Sequence, residues 1–287
     1  MEPMHRIAAA ALGLALGMTM SGPISAAPDG VLLIGDSWAE QQWDDQAHAL
    51  VFDALGFGQI PVYGAATTES GTTAADWVQP GRLQTIADEL AARPDVGIVQ
   101  VTLGGNDFLD AWSTALDPAQ VAALTAGVQA DLQLLTDFIL DARPDVEILL
   151  SFYDYPNFVD TLGGLVGLLF CAPLWNDLGQ PSPLQLNTAS IALEQAIARL
   201  AEQHSRIYHV SHIGQMQSLF GFPDSGIPPG QIQPPGDPSL PSPTEALRLD
   251  GADCFHLSAE GYDGIVMNQF DGYFETRFDV IFRTGFR

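Results

Sequence analysis

Apolar positions along this chain fall into two patterns: short, almost continuous runs, and longer stretches that repeat every three or four residues. The short runs are rich in Val, Ile and Leu, are bounded by Gly, Pro or Asp, and occupy residues 30–37, 59–66, 96–103, 146–152 and 206–213. Each has strand length, and strands that are apolar throughout rather than alternating are those covered on both faces. Between them lie segments of helical period. The clearest starts with Asp117 as cap and Pro118 in the first turn, and sets Val121, Leu124, Val128, Leu132, Leu135 and Ile139 on one stripe. The phrase Ala-Arg-Pro-Asp-Val occurs at residues 92–96 and again at 142–146, each time where a helix should stop and a strand begin. It is a repeated connection and not a solenoid period.

Strands alternating with helices force parallel crossovers, so the pattern predicts an α/β fold, a three-layer α/β/α sandwich around a five-stranded parallel sheet. Ligands bind such sheets beyond the carboxyl ends of the strands, which puts the loops after the first, second, third and fifth strands on one rim. Two insertions, residues 157–183 and 214–249, interrupt the alternation and are expected on that rim. The first carries Leu162, Leu165, Val166, Leu168, Leu169 and Phe170. These read either as a packed helix or as lining for an acyl pocket. The second is dense in Pro and Gly.

The amino end changes the picture of where the chain works. A short polar start with Arg6 leads into an apolar run over residues 7–20, then Gly22, Pro23 and the small residues Ser25, Ala26 and Ala27. This reads as a signal peptide over residues 1–26, the run being shorter than the roughly 20 residues of a membrane span. No cysteine follows it to carry a lipid, so no stable membrane anchor is expected. The expected product is an exported protein, periplasmic or extracellular, with one domain over residues 27–287.

Charge and composition narrow the chemistry. The net charge is −25, which argues against nucleic acid as a partner and favours solubility. All ten basic residues are Arg, so a P-loop lysine, a Schiff-base lysine and a Ser-Lys dyad are excluded. The only cysteines are Cys171 and Cys254, and an even pair in an exported protein is expected to form a disulfide, here stapling the first insertion to the stretch around residue 254.

Three short motifs carry candidate chemistry. The first strand ends in Gly35-Asp36-Ser37, which sets a hydroxyl at a strand-to-helix turn beside the positive end of a helix. Alone it also reads as an ordinary N-cap. The third strand ends in Leu103-Gly104-Gly105-Asn106-Asp107, delivering an amide that can donate to an oxyanion. Near the end, Asp253-Cys254-Phe255-His256 sets a carboxylate three residues before an imidazole.

With these blocks in this order, the chain resembles the SGNH (GDSL) hydrolase superfamily, and the resemblance runs from Gly35 to His256. It implies a flavodoxin-like sandwich, Ser37 as nucleophile, His256 as general base and then acid, and Asp253 as the group that orients the imidazolium. It further implies an oxyanion hole built from the Ser37 N–H, the Asn106 side chain and a glycine N–H from a block after the second strand. That block departs from the family pattern, reading Val62-Tyr63-Gly64-Ala65-Ala66-Thr67-Thr68-Glu69-Ser70-Gly71-Thr72-Thr73. Gly71 and Gly64 compete, and Gly71 is preferred because Ser-Gly-Thr-Thr precedes a helical pattern. Trp38 stands where the GDSL signature usually has Leu, and is expected to alter the pocket floor.

The implied function is hydrolysis of a carboxylic ester through an acyl-Ser37 intermediate, with no metal and no organic cofactor. The apolar insertion favours a lipid-like ester. Acyltransferase, thioesterase and carbohydrate acetylesterase activities of the same family are alternatives, and a non-catalytic ligand-binding module is a further one. Asp36 and Asp107 are expected to be structural. His204, His209 and His212 lack the ligand set of a metal site. No Gly-x-Ser-x-Gly elbow holds Ser37, which argues against the α/β-hydrolase fold. Trp38, Trp43 and Trp175 are either cleft-flanking or simply packed.

Overall fold

Five parallel strands form the centre of the computed structural model, which describes residues 30–58 and 60–278. The expected signal peptide, residues 1–26, lies outside the described residues, as do Gln59 and both ends of the expected domain. The strands are β1 (Gly30–Gly35), β2 (Val62–Tyr63), β3 (Val96–Thr102), β4 (Glu147–Ser151) and β5 (Ile207–Val210), in the order β2-β1-β3-β4-β5. The five apolar runs thus hold the five strands, but the two edge strands are much shorter than their runs: β2 pairs with β1 only at Val31↔Val62 and Leu32↔Tyr63, and β5 pairs with β4 only from Ile207 to Val210. Chain order reverses at β1, between β2 on one side and β3 on the other. In a parallel sheet that crevice is where ligands bind.

The helices follow in chain order as α1 (Ser37–Asp44), α2 (Ala47–Ala54), α3 (Ala74–Trp77), α4 (Pro80–Ala92), α5 (Gly105–Ala111), α6 (Pro118–Ala142), α7 (Gly164–Val166), α8 (Ala172–Asp177), α9 (Pro183–Gln203), α10 (Gln215–Phe220), α11 (Arg248–Gly251) and α12 (Ala259–Phe278). Helix α6 starts as its sequence predicts: the Asp117 carboxylate accepts N–H bonds from Ala119 and Gln120, and Gln120 reaches back to the Asp117 N–H. The two Arg-Pro-Asp connections lie side by side, since the Arg143 guanidinium donates to the carbonyls of Leu90 and Val96.

Helix α12 has no counterpart among the predicted elements. Gly261, Gly264 and Gly272 interrupt its pattern and lower helix propensity, yet Tyr262, Ile265, Val266, Phe270 and Phe274 are all buried along it. Packing overrides propensity there. Gly261 and Gly264 are also the sites of close approach to Ala246 and Leu219. Among the described residues, no helix is long and apolar enough to cross a membrane.

Candidate active site

The loop after β1 supplies the serine. Asp36 has extended backbone, and its carboxylate accepts the Trp38 N–H at 3.0 Å, so α1 begins at Ser37 itself. The Ser37 N–H therefore belongs to the first helical turn, whose N–H groups have no intrahelical acceptor and carry the positive end of the dipole. Ser37 is only 4 % exposed, and Asp36 beneath it is fully buried. Burial pushes the Asp36 carboxyl up to about 7.

Across the crevice, a tight turn after α11 presents the imidazole. Asp253 Oδ1 accepts the backbone N–H groups of Phe255 and His256 at 3.0 and 2.9 Å, and Oδ2 lies 2.9 Å from His256 Nδ1. The other ring nitrogen, Nε2, lies 2.8 Å from Ser37 Oγ. With Nδ1 donating to a carboxylate, Nε2 is left as the acceptor for the serine hydroxyl. Burial would raise the Asp253 carboxyl, but the bond and charge of His256 and the two N–H bonds outweigh it, and the net shift is downward.

Contacts from four parts of the chain hold this turn. The Trp38 indole donates to the Phe255 carbonyl at 3.1 Å, Asn157 N–H donates to the Cys254 carbonyl at 2.7 Å, and Arg248 N–H donates to the His256 carbonyl at 3.0 Å. From the fourth comes the disulfide between Cys171 and Cys254.

The loops after β2 and β3 meet each other through two hydrogen bonds. Asn106 lies in the first turn of α5, and its amide donates to the Thr72 carbonyl at 2.8 Å. Its neighbour Asp107 accepts the Ala74 N–H at the start of α3 at 2.9 Å. Gly71, next to Thr72, has φ +78°, and a Cβ there would meet nothing within 4 Å. Gly64 is different: a Cβ on it would come within 3.1 Å of the Trp43 ring, so packing alone accounts for the glycine.

Other sequence-singled residues take structural places. Asp36 and Asp107 both bond helix starts, as expected. His209 Nε2 lies 3.6 Å from Glu194 Oε1, beyond hydrogen-bond reach, with burial holding the imidazole down at about 4, and His212 is buried beside Asn268. Trp43 and Trp175 pack partly buried on the core. Trp38 does not form an open pocket floor. It is 1 % exposed, stacked on Tyr153 at 4.5 Å, and holds the histidine turn through its N–H. Sequence reasoning also missed the loop after β4, where buried Asp154 accepts N–H bonds from Tyr155, Gly214 and Met216 and so ties the second insertion to the sheet. A lone Asp after an apolar strand was its only signal. The apolar run of the first insertion is divided: Leu162 packs partly buried on the core and Val166 is half-buried, whereas Leu165, Leu168, Leu169 and Phe170 are exposed.

The profile of the GDSL-like lipase/acylhydrolase family matches residues 31–268. A solved structure of a protein from Streptococcus pneumonia assigned as a platelet activating factor superposes with a TM-score of 0.53 at 16 % identity, covering 87 % of this chain and 86 % of that one. The extracellular lipase of Streptomyces rimosus gives 0.49 at 14 % identity over 85 % and 98 % of the two chains. The family 3 carbohydrate esterase of Clostridium thermocellum gives 0.44 at 16 % identity over 84 % and 93 %. No curated protein matches by sequence.

Proposed function

This chain belongs to the GDSL-like lipase/acylhydrolase family and hydrolyses ester bonds, and from that premise we propose that it is a secreted serine esterase working through an acyl-Ser37 intermediate. The observation that carries the reading is the contact of His256 Nε2 with Ser37 Oγ at 2.8 Å, backed by Asp253 at 2.9 Å from Nδ1.

A serine hydroxyl is a weak nucleophile until a neutral imidazole takes its proton. In the proposed cycle, Ser37 Oγ attacks the ester carbonyl carbon as its proton passes to His256 Nε2. The carbonyl π pair moves onto oxygen, and Asp253 stabilises the imidazolium through Nδ1–H. The tetrahedral oxyanion is held by the Ser37 N–H, the Asn106 amide and the Gly71 N–H. The Thr72 carbonyl that Asn106 now bonds adjoins Gly71, which supports Gly71 over Gly64 as the third donor. Collapse breaks the bond to the alkoxy oxygen, which leaves with the proton from His256. Water then repeats the sequence on the acyl-serine, giving the carboxylic acid and restoring Ser37.

Export fits the disulfide, since such bonds persist in oxidising compartments. The test is a panel of p-nitrophenyl esters of increasing chain length, assayed with the wild type and with Ser37→Ala. Turnover by the wild type and its loss in the variant is the expected result. Equal turnover by both would remove Ser37 from the mechanism, and no turnover by either would favour a silent ligand-binding module.

A further inference from the structure

The first insertion wears its apolar side outward. Leu165, Leu168, Leu169 and Phe170 are 74, 62, 59 and 70 % exposed, and the first three are spaced as neighbours on one helical face. The opposite face holds the contacts with the protein. Gly167 and Cys171 are buried, Leu174 and Trp175 are partly buried, and Leu178 is fully buried. A Cβ on Gly167 would lie 1.8 Å from the Thr161 carbonyl oxygen, so the segment sits down on its smallest residue. A surface helix normally turns its large apolar side chains inward. Here two faces are apolar, and one of them, with three leucines and a phenylalanine, is left in solvent.

The charge pattern says what suits this face. The chain carries a net charge of −25, yet residues 161–176 contain no charged side chain. A second copy of this protein would bring the same large negative charge and be repelled, and an anionic surface is disfavoured in the same way. An uncharged or zwitterionic apolar surface is not. The patch also stands at the catalytic turn: Phe170 adjoins Cys171, whose Cα is 5.9 Å from that of Cys254, two residues before His256.

We propose that the face formed by Leu165, Leu168, Leu169 and Phe170 docks on a zwitterionic lipid surface, inserting these side chains among the acyl chains and bringing the Ser37–His256 mouth to esters held there. Insertion of exposed apolar side chains at an interface gains free energy in proportion to the area removed from water. The proposal rests on the esterase reading for its purpose but not for its surface. The disulfide then has a second effect, because it joins the docking segment covalently to the turn that carries the histidine.

The test separates the two. Wild type, Ser37→Ala and a triple variant with Leu165→Ser, Leu168→Ser and Phe170→Ser are sedimented with phosphatidylcholine vesicles and assayed on a short soluble p-nitrophenyl ester. Wild type and Ser37→Ala should bind alike, and the triple variant should bind at least tenfold more weakly while hydrolysing the soluble ester within about twofold of wild type. A single Leu168→Glu should weaken binding in the same sense, which guards against misfolding of the triple variant. Unchanged vesicle binding by the variants overturns the proposal, as does failure of the wild type to bind. A wild-type dimer in sedimentation velocity that the triple variant dissociates also overturns it, making the face a contact between copies. Vesicle binding lost only in the variants, with no ester turnover by any protein, would leave the surface standing and fell the esterase reading instead.

Discussion

His256 and Ser37 lie 219 positions apart in the chain, and Nε2 of one is 2.8 Å from Oγ of the other. That approach is useful only with the proton on Nδ1, and the 2.9 Å contact with Asp253 Oδ2 is what keeps it there. Asp253→Asn replaces a pure acceptor by an amide that can donate to Nδ1 and leave the proton on Nε2. We expect kcat on p-nitrophenyl acetate to fall by about 10⁴-fold with little change in KM. A fall of less than tenfold would mean that another group orients the ring.

Asn106 tests the oxyanion side independently of the histidine. Its amide bonds a backbone carbonyl in the unliganded protein, but an NH₂ group has two donors, and the loop after β3 sets it on the same rim as Ser37. Asn106→Ala should lower kcat about 100- to 1000-fold, with KM nearly unchanged because the donor acts mainly on the charged transition state. Equal losses for the soluble ester and for its thioester analogue are expected, since both form the same oxyanion. A change confined to KM would place Asn106 in ground-state binding.

How much of this was legible in the sequence depends on how local each signal is. Strands β1, β3 and β4 announce themselves because a strand buried on both faces needs a continuous apolar run, and Ser37 and Asn106 follow directly as the residues at their ends. The Asp253–His256 pair was legible because three residues of a tight turn suffice to bring the groups together. Trp38 was not. Its role depends on the Phe255 carbonyl, 217 positions away, and no spacing rule connects them. The outward apolar face of residues 165–170 was also hidden, for a one-dimensional apolar run does not say which side meets the protein. Helix α12 was obscured by its glycines, of which Gly261 and Gly264 are sites of close packing, a tertiary reason that propensity cannot register.

The disulfide should matter more to the site than to the sheet. It closes a separation of 83 residues and ends on Cys254, beside Asp253. In the oxidised protein it removes chain entropy worth about 2–5 kcal/mol, and it joins Trp38, Asn157 and Arg248 in holding the histidine turn. Under increasing thiol reductant, ester turnover should decline at concentrations where far-ultraviolet circular dichroism is still native. Coincident loss of activity and of secondary structure would show instead that the bridge stabilises the whole fold as one unit.

His48 makes a prediction about acid that does not involve the active site. It is buried, with Nε2 2.7 Å from Gln100 Oε1, and Gln100 in turn donates to Gln42. The Gln100 oxygen is therefore the acceptor and Nε2 the donor, so any added proton must go to Nδ1, which has no hydrogen-bond partner among the described residues. Burial accordingly depresses His48 to about 4. Below the ordinary histidine value near 6.5 the unfolded chain takes up this proton and the native one does not, so stability is lost as pH falls from about 6.5 to about 4, at roughly 1.4 kcal/mol per pH unit. Asp36 and Asp154, raised to about 7 by burial, act with the opposite sign over much of that range, which is why the wild-type profile alone is not diagnostic. The difference between wild type and His48→Gln is, because those carboxyls contribute equally to both. Gln keeps a donor for Gln100 but loses the ring packing on Phe52 and Phe270, so the variant should be less stable at pH 7. Its deficit, measured by urea unfolding, should shrink by roughly 2 kcal/mol by pH 4.5. A deficit that stays constant across this range would mean that His48 takes up its proton as readily in the folded protein as in the unfolded chain.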